Sequence, residues 1–110
     1  MVIVAKNQRD LEINRPTEYE KLYLFEKMML SGWIVNTLLP YKIKSYNSPT
    51  SYRLKHIFEK SPTGFYISNG VFKGAMLNAG FTPKDEQHLN WTFTLSRKLN
   101  NIDPAKLPRW

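Results

Sequence analysis

Ser68-Asn69-Gly70-Val71-Phe72-Lys73-Gly74-Ala75-Met76-Leu77-Asn78-Ala79-Gly80-Phe81 carries its own start and stop signals, and the role given to it decides the fold. Ser68-Asn69 caps a helix running from Gly70 to Ala79, with Phe72, Ala75, Met76 and Ala79 on the buried face. Gly80 stands at the left-handed stop position, and Phe81 after it supplies the hydrophobic contact of a Schellman ending. Only Lys73 and Asn78 are long polar side chains on this helix. A sequence-reading recognition helix normally carries several Arg, Gln or Asn residues.

Upstream, Thr50 or Ser51 caps a shorter helix, Tyr52 to Glu59, with Leu54, Ile57 and Phe58 turned inward. Ser61-Pro62-Thr63-Gly64 ends it, and Phe65-Tyr66-Ile67 is an extended link. Downstream, Thr82 to Asn90 is loop, and Trp91-Thr92-Phe93-Thr94-Leu95-Ser96 alternates large apolar with small hydroxyl side chains, the period of a half-buried strand. Two helices, a tight connection and a strand have the layout of a helix-turn-helix with a wing. The expected fold class is α+β, mainly helical: a three-helix, winged helix-turn-helix-like core with a short antiparallel β element.

Before this unit, Pro16-Thr17-Glu18-Tyr19-Glu20 opens a helix expected from 18 to about 39. Thr17 is its cap and Glu20 the reciprocal capping-box residue. It is expected to bend or break near Gly32 and to stop at Pro40. Residues 2–5 and Leu11-Glu12-Ile13 read as short extended pieces. In the tail, Asp103 caps a turn with Pro104 in its first position. The expected organisation is a single domain over 1–110.

Charge is segregated along the chain. The whole has 16 Lys+Arg against 9 Asp+Glu, for +7. Residues 1–40 are neutral, whereas residues 41–84 hold seven basic groups against Glu59 alone, together with 8 of the 15 aromatic residues. Cations displace counterions from phosphates, and flat rings stack on bases. The segment 41–84 is therefore the expected nucleic-acid-binding region, through Lys42, Lys44, Tyr46, Tyr52, Arg53, Lys55, His56, Lys60 and Lys73. Arg53, His56 and Lys60 recur three and four apart along one helical face. The alternative for the same residues is the solvated outer face of a core helix.

Several chemistries are excluded. No cysteine is present, which removes disulfides, cysteine-containing zinc sites and a thiol nucleophile. His56 and His88 are unlinked and have no nearby carboxylate pairs at ligand spacing, so no metal site is expected. Gly64, Gly70 and Gly74 lack the Gly-Lys-Ser/Thr of a phosphate loop. No nucleophile with a partnered base is evident, so neither catalysis nor a cofactor is expected. The apolar opening Met1-Val2-Ile3-Val4-Ala5 is too short for a signal or spanning segment, giving an expectation of a cytoplasmic protein with no membrane association.

Residues 22–39 hold eleven large apolar groups in eighteen positions, against roughly eight to ten for one buried face. Either a bend at Gly32 buries the excess, or part of this helix, with the tail, docks on a larger protein through Met28, Trp33 and Trp110.

The runs Ser51-Tyr52-x-Leu54-Lys55-His56-x-x-Glu59 and Tyr66-x-Ser68-Asn69-x-x-Phe72, with the ending Ala79-Gly80-Phe81, resemble small replication-accessory proteins of Gram-positive mobile genetic elements. That family includes the middle protein of the staphylococcal cassette chromosome replication operon. The resemblance covers residues 50–81. It implies a non-catalytic subunit that contacts single-stranded DNA and partners an element-encoded DNA polymerase in primer synthesis. A winged-helix regulator on duplex DNA and a small inhibitor of a host enzyme are the alternatives.

Overall fold

Gly70 and Gly74 lie four apart, on one face of their helix, and the backbone of another segment crosses directly over them. A methyl group on Gly70 would stand 2.3 Å from the Arg15 carbonyl oxygen, and one on Gly74 would stand 2.2 Å from that of Pro16. The computed structural model describes residues 8–108, with side chains from residue 11 onward. Its helices are α1 (Gln8–Ile13), α2 (Leu24–Trp33), α3 (Ser51–Lys60) and α4 (Asn69–Asn78). Ile13 and Arg15 cross at Gly70, the 3-10 turn Pro16–Lys21 packs along α4 at Gly74, and α1, α2 and α3 also contact α4.

Each residue of α4 from Asn69 to Met76 is buried. The helix is capped as the sequence predicts: the Ser68 hydroxyl accepts from the Val71 N–H (3.2 Å). It closes with Phe81 N–H donating to the Met76 carbonyl (2.9 Å) and Gly80 N–H to that of Leu77 (3.0 Å), Gly80 having φ 93°. Its blandness is the blandness of a core helix. With α4 buried from Asn69 to Met76 and only Leu77 and Asn78 at its C-terminal end exposed, the helix presents no long face to a DNA groove, so the helix-turn-helix layout inferred from sequence is corrected.

The expected β element is corrected as well. No strand exists among the described residues; a single antiparallel bridge joins Lys42 to Leu95. The alternation was read correctly, since Trp91, Phe93 and Leu95 are buried. The backbone partners are scattered, however. Trp91 N–H donates to Ser51 Oγ (3.0 Å) and Phe93 N–H to Ser48 Oγ (2.9 Å). Ile43 donates to the Thr94 carbonyl and Lys84 to that of Thr92 (3.0 and 3.1 Å). Divided among three stretches of chain, these bonds leave no ladder to propagate.

Leu11-Glu12-Ile13, expected to be extended, belongs to α1, and the expected piece at 2–5 lies outside the described residues. The expected helix over 18–39 is several pieces. Thr17 does not cap it; Pro16 starts a 3-10 turn that ends at Lys21. The helix begins again because the Glu26 carboxylate accepts from the Tyr23 N–H (2.9 Å). Gly32 does not break α2, which passes into a π-helical turn, Ile34–Leu38, and a 3-10 turn containing Pro40. Leu39 N–H reaches back to the Ile34 carbonyl, so the helix approaches its proline through a widened turn.

Trp33, Phe58, Phe72 and Phe93 are fully buried at the centre, Phe58 standing edge-on to Trp33 (5.2 Å) and to Phe65 (5.1 Å). Two alanine substitutions test the crossing. Gly74→Ala drives a methyl into backbone and is expected to destabilise the protein by about 1–3 kcal/mol or more. Gly32→Ala meets no atom within 4 Å and is expected to stabilise by about 0.5–1 kcal/mol. Urea unfolding of the two variants, showing shifts of opposite sign, checks this.

Candidate functional site

α3 starts where Thr50 Oγ1 accepts from the Arg53 N–H (3.3 Å), and Leu54, Ile57 and Phe58 anchor it inward. Ser51, also buried, ties this first turn to Trp91. With those positions fixed, Tyr52, Lys55, His56 and Glu59 fall on neighbouring lines of the helix surface.

Glu59 is the centre of this group. Its Oε2 accepts from Lys55 Nζ (3.1 Å) and from the Ile67 N–H (3.0 Å), and its Oε1 pairs with His56 Nδ1 (3.0 Å). The Lys55 ammonium lies 5.3 Å from the Tyr52 ring centre and 5.2 Å from that of Tyr66. The His56 ring stands edge-on to Tyr52 at 4.5 Å. By holding Ile67, Glu59 also holds the extended link, from which Phe65 and Ile67 turn inward and Tyr66 outward. Between these groups is a cleft of about 240 Å³, lined by Tyr52, Lys55, His56, Tyr66 and the polar side chains of Asn14, Ser68 and Asn69.

A second cleft, of about 500 Å³, is lined by Tyr46, Lys84, Asp85, His88 and Asn90. The two share a wall, because the Asn69 amide donates to Asn90 Oδ1 (3.1 Å) as well as to Asn14 Oδ1 (2.7 Å). Among the described residues no group of three His, Asp or Glu side chains is placed to hold a metal ion.

The sequence-derived site residues divide into two sets. Lys42, Lys44, Tyr46, Tyr52, Arg53 and Lys60 are exposed, and His56 is half-buried. Arg53 reaches the Asn100 carbonyl (3.5 Å), beside exposed Arg97 and Lys98. Lys55 and Lys73, by contrast, are buried, at 5% and 3% exposure. Lys73 donates to the Asn14 carbonyl (3.0 Å) and lies 4.8 Å from the Trp91 ring centre. It is a tie within the core and not a phosphate contact. Of the partner-docking residues, Met28 is exposed, Trp33 is fully buried and therefore faces no partner, and Trp110 lies outside the described residues. Sequence reading missed Tyr66, whose outward direction was available from the Phe65-Tyr66-Ile67 alternation, and the bracing role of Glu59.

The chain matches no known protein family, no curated protein and no solved structure.

Glu59→Gln keeps the shape but leaves the buried Lys55 ammonium without a counter-charge. The expected loss is about 2–4 kcal/mol, and Glu59→Gln with Lys55→Met is expected to recover at least half of it in urea unfolding. Lys73 adds a pH dependence. Burial lowers its pKa from 10.5 to about 8. Between those values the unfolded chain binds more protons than the native one, so stability rises with pH across the window. From pH 7 to 9.5 the wild type is expected to gain on the order of 1 kcal/mol relative to Lys73→Met. The Asn14 carbonyl and the Trp91 face favour the ammonium and keep the gain below the full shift. Paired denaturation curves at the two pH values measure it.

Proposed function

We propose that this chain is a non-catalytic DNA-binding accessory subunit that contacts single strands and works with a larger replication protein, such as an element-encoded DNA polymerase, in primer synthesis. The observation that carries the reading is the exposure of three rings from the basic segment: Tyr46 at 38%, Tyr52 at 52% and Tyr66 at 80%. Rings left in water beside Lys42, Lys44, Arg53 and Lys60 combine stacking surface with phosphate-neutralising charge. The resemblance over residues 50–81 favours the same function.

The partner surface is read on α2, where Tyr23, Leu24, Phe25 and Met28 are each more than 60% exposed. Aromatic residues and methionine are enriched at protein interfaces. No helix among the described residues is long and apolar enough to cross a membrane, and the proposed work on DNA belongs to the cytoplasm. With α4 buried from Asn69 to Met76, a winged-helix regulator lacks its reading helix.

The test replaces Lys42, Lys44, Arg53 and Lys60 together with alanine. Lys55 is left intact because it is buried. Such exposed positions shift stability by under about 0.5 kcal/mol each. Wild-type binding to single-stranded DNA is expected to fall with salt at a logarithmic slope of about −3, for four phosphates neutralised. The quadruple variant is expected to lose binding while still capturing the polymerase, and Phe25→Asp to do the reverse. Salt-independent binding, or none at low salt, would refute the DNA assignment and favour an inhibitor of a host enzyme.

A further inference from the structure

We propose that the cleft between Tyr52, Lys55, His56 and Tyr66 takes one nucleobase, unstacked from a single strand, against the exposed face of Tyr66; this rests on the DNA-binding reading and specifies what that surface recognises. Three observations select a base over other occupants.

The first is charge. A phosphate subsite needs a cation free to neutralise it, but the Lys55 ammonium is already paired with Glu59, and so is His56 Nδ1. The remaining polar lining, from Asn14, Ser68 and Asn69, is uncharged. A flat, neutral ligand suits this lining, while phosphates are left to exposed Arg53 and Lys60 on the same helix. The second is occupancy. Two tyrosine rings around an ammonium form the cage that recognises cationic ligands, and here Lys55 itself fills it. A lysine or quaternary ammonium from outside therefore has no place. The third is size. At about 240 Å³ the cleft falls below the range of about 300–1,000 Å³ for drug-sized ligands. It holds one base and excludes a duplex, whose bases are inaccessible in their stack. A strand leaving the cleft meets the second one beyond the Asn69–Asn90 wall, with Tyr46 and Lys84.

The experiment compares a thymidine oligonucleotide with an all-abasic one of equal length, carrying the same phosphates, by fluorescence anisotropy at low salt. Tyr66 is 80% exposed, so Tyr66→Ala is expected to fold normally. Tyr66→Ala should weaken binding of the thymidine strand roughly tenfold, within the range for one stacked base, and leave the abasic strand and the salt slope unchanged. Tyr66→Phe, which keeps the ring, should bind like wild type. Equal wild-type affinity for both strands, or equal loss on both in Tyr66→Ala, overturns the base site while the DNA-binding reading survives. Absence of binding to either strand overturns both.

Discussion

The rest of the structure depends on backbone lying against backbone where residues 13–19 cross α4. Only hydrogen at positions 70 and 74 permits that approach, since a methyl at Gly74 would also stand 2.4 Å from Tyr19 Cβ. The crossing brings Asn14 to the first turn of α4, where it meets the Asn69 amide, and its carbonyl receives Lys73. Asn69 in turn holds the Leu89 carbonyl (3.1 Å) and Asn90, at the start of the extended segment that caps the core. The cleft wall formed by Ile13, Asn14 and Asn69 is thus a consequence of two missing side chains.

Net charge counted along the chain overstates what reaches solvent. Of the seven basic groups between 41 and 84, Lys55 and Lys73 are drawn inside, while Lys42, Lys44, Arg53, Lys60 and Lys84 stay at the surface. Burying an ammonium is costly unless it is compensated. The two buried lysines meet that cost differently. Lys55 has a carboxylate, whereas Lys73 has only a carbonyl and an indole face, and its pKa is lowered accordingly. A lysine at a small-residue helix position, such as Lys73 between Gly70 and Gly74, therefore signals a core tie as readily as an exposed face.

Local features were legible in the sequence because their causes are local. The caps at Thr50 and Ser68, the Schellman ending at Gly80 and the turn opened by Asp103 all form where the residue types place them. The buried face of α3 was legible for the same reason. The failures at 91–96 and on α4 required knowledge of distant partners. Alternation at 91–96 correctly gave the buried side chains but could not reveal that Ser48 and Ser51 side chains, 40 or more residues earlier, would take its N–H groups. Charge and small residues on α4 gave no sign that the helix would be buried from Asn69 to Met76. The exposed rings and the Glu59 brace were half legible: their spacing is in the sequence, while the convergence of Tyr66 on Lys55 follows from the fold.

The charges around the two exposed surfaces differ. Around the α2 patch the ionic groups are largely compensated among themselves: Lys21 with Glu18 (2.7 Å) and Lys27 with Glu20 (3.2 Å). Glu26 is engaged by the Tyr23 N–H. A surface with its charges satisfied internally presents apolar rings at little desolvation cost and couples weakly to salt. Along the connector and α3, no carboxylate other than Glu59 lies between 41 and 84, and Glu59 is committed inward. The exposed Arg53 there reaches a carbonyl rather than a carboxylate, so a polyanion gains counterion release on binding. Salt is therefore expected to weaken binding at the basic surface and to spare the apolar one, so the proposed nucleic-acid and protein contacts depend on different physical terms.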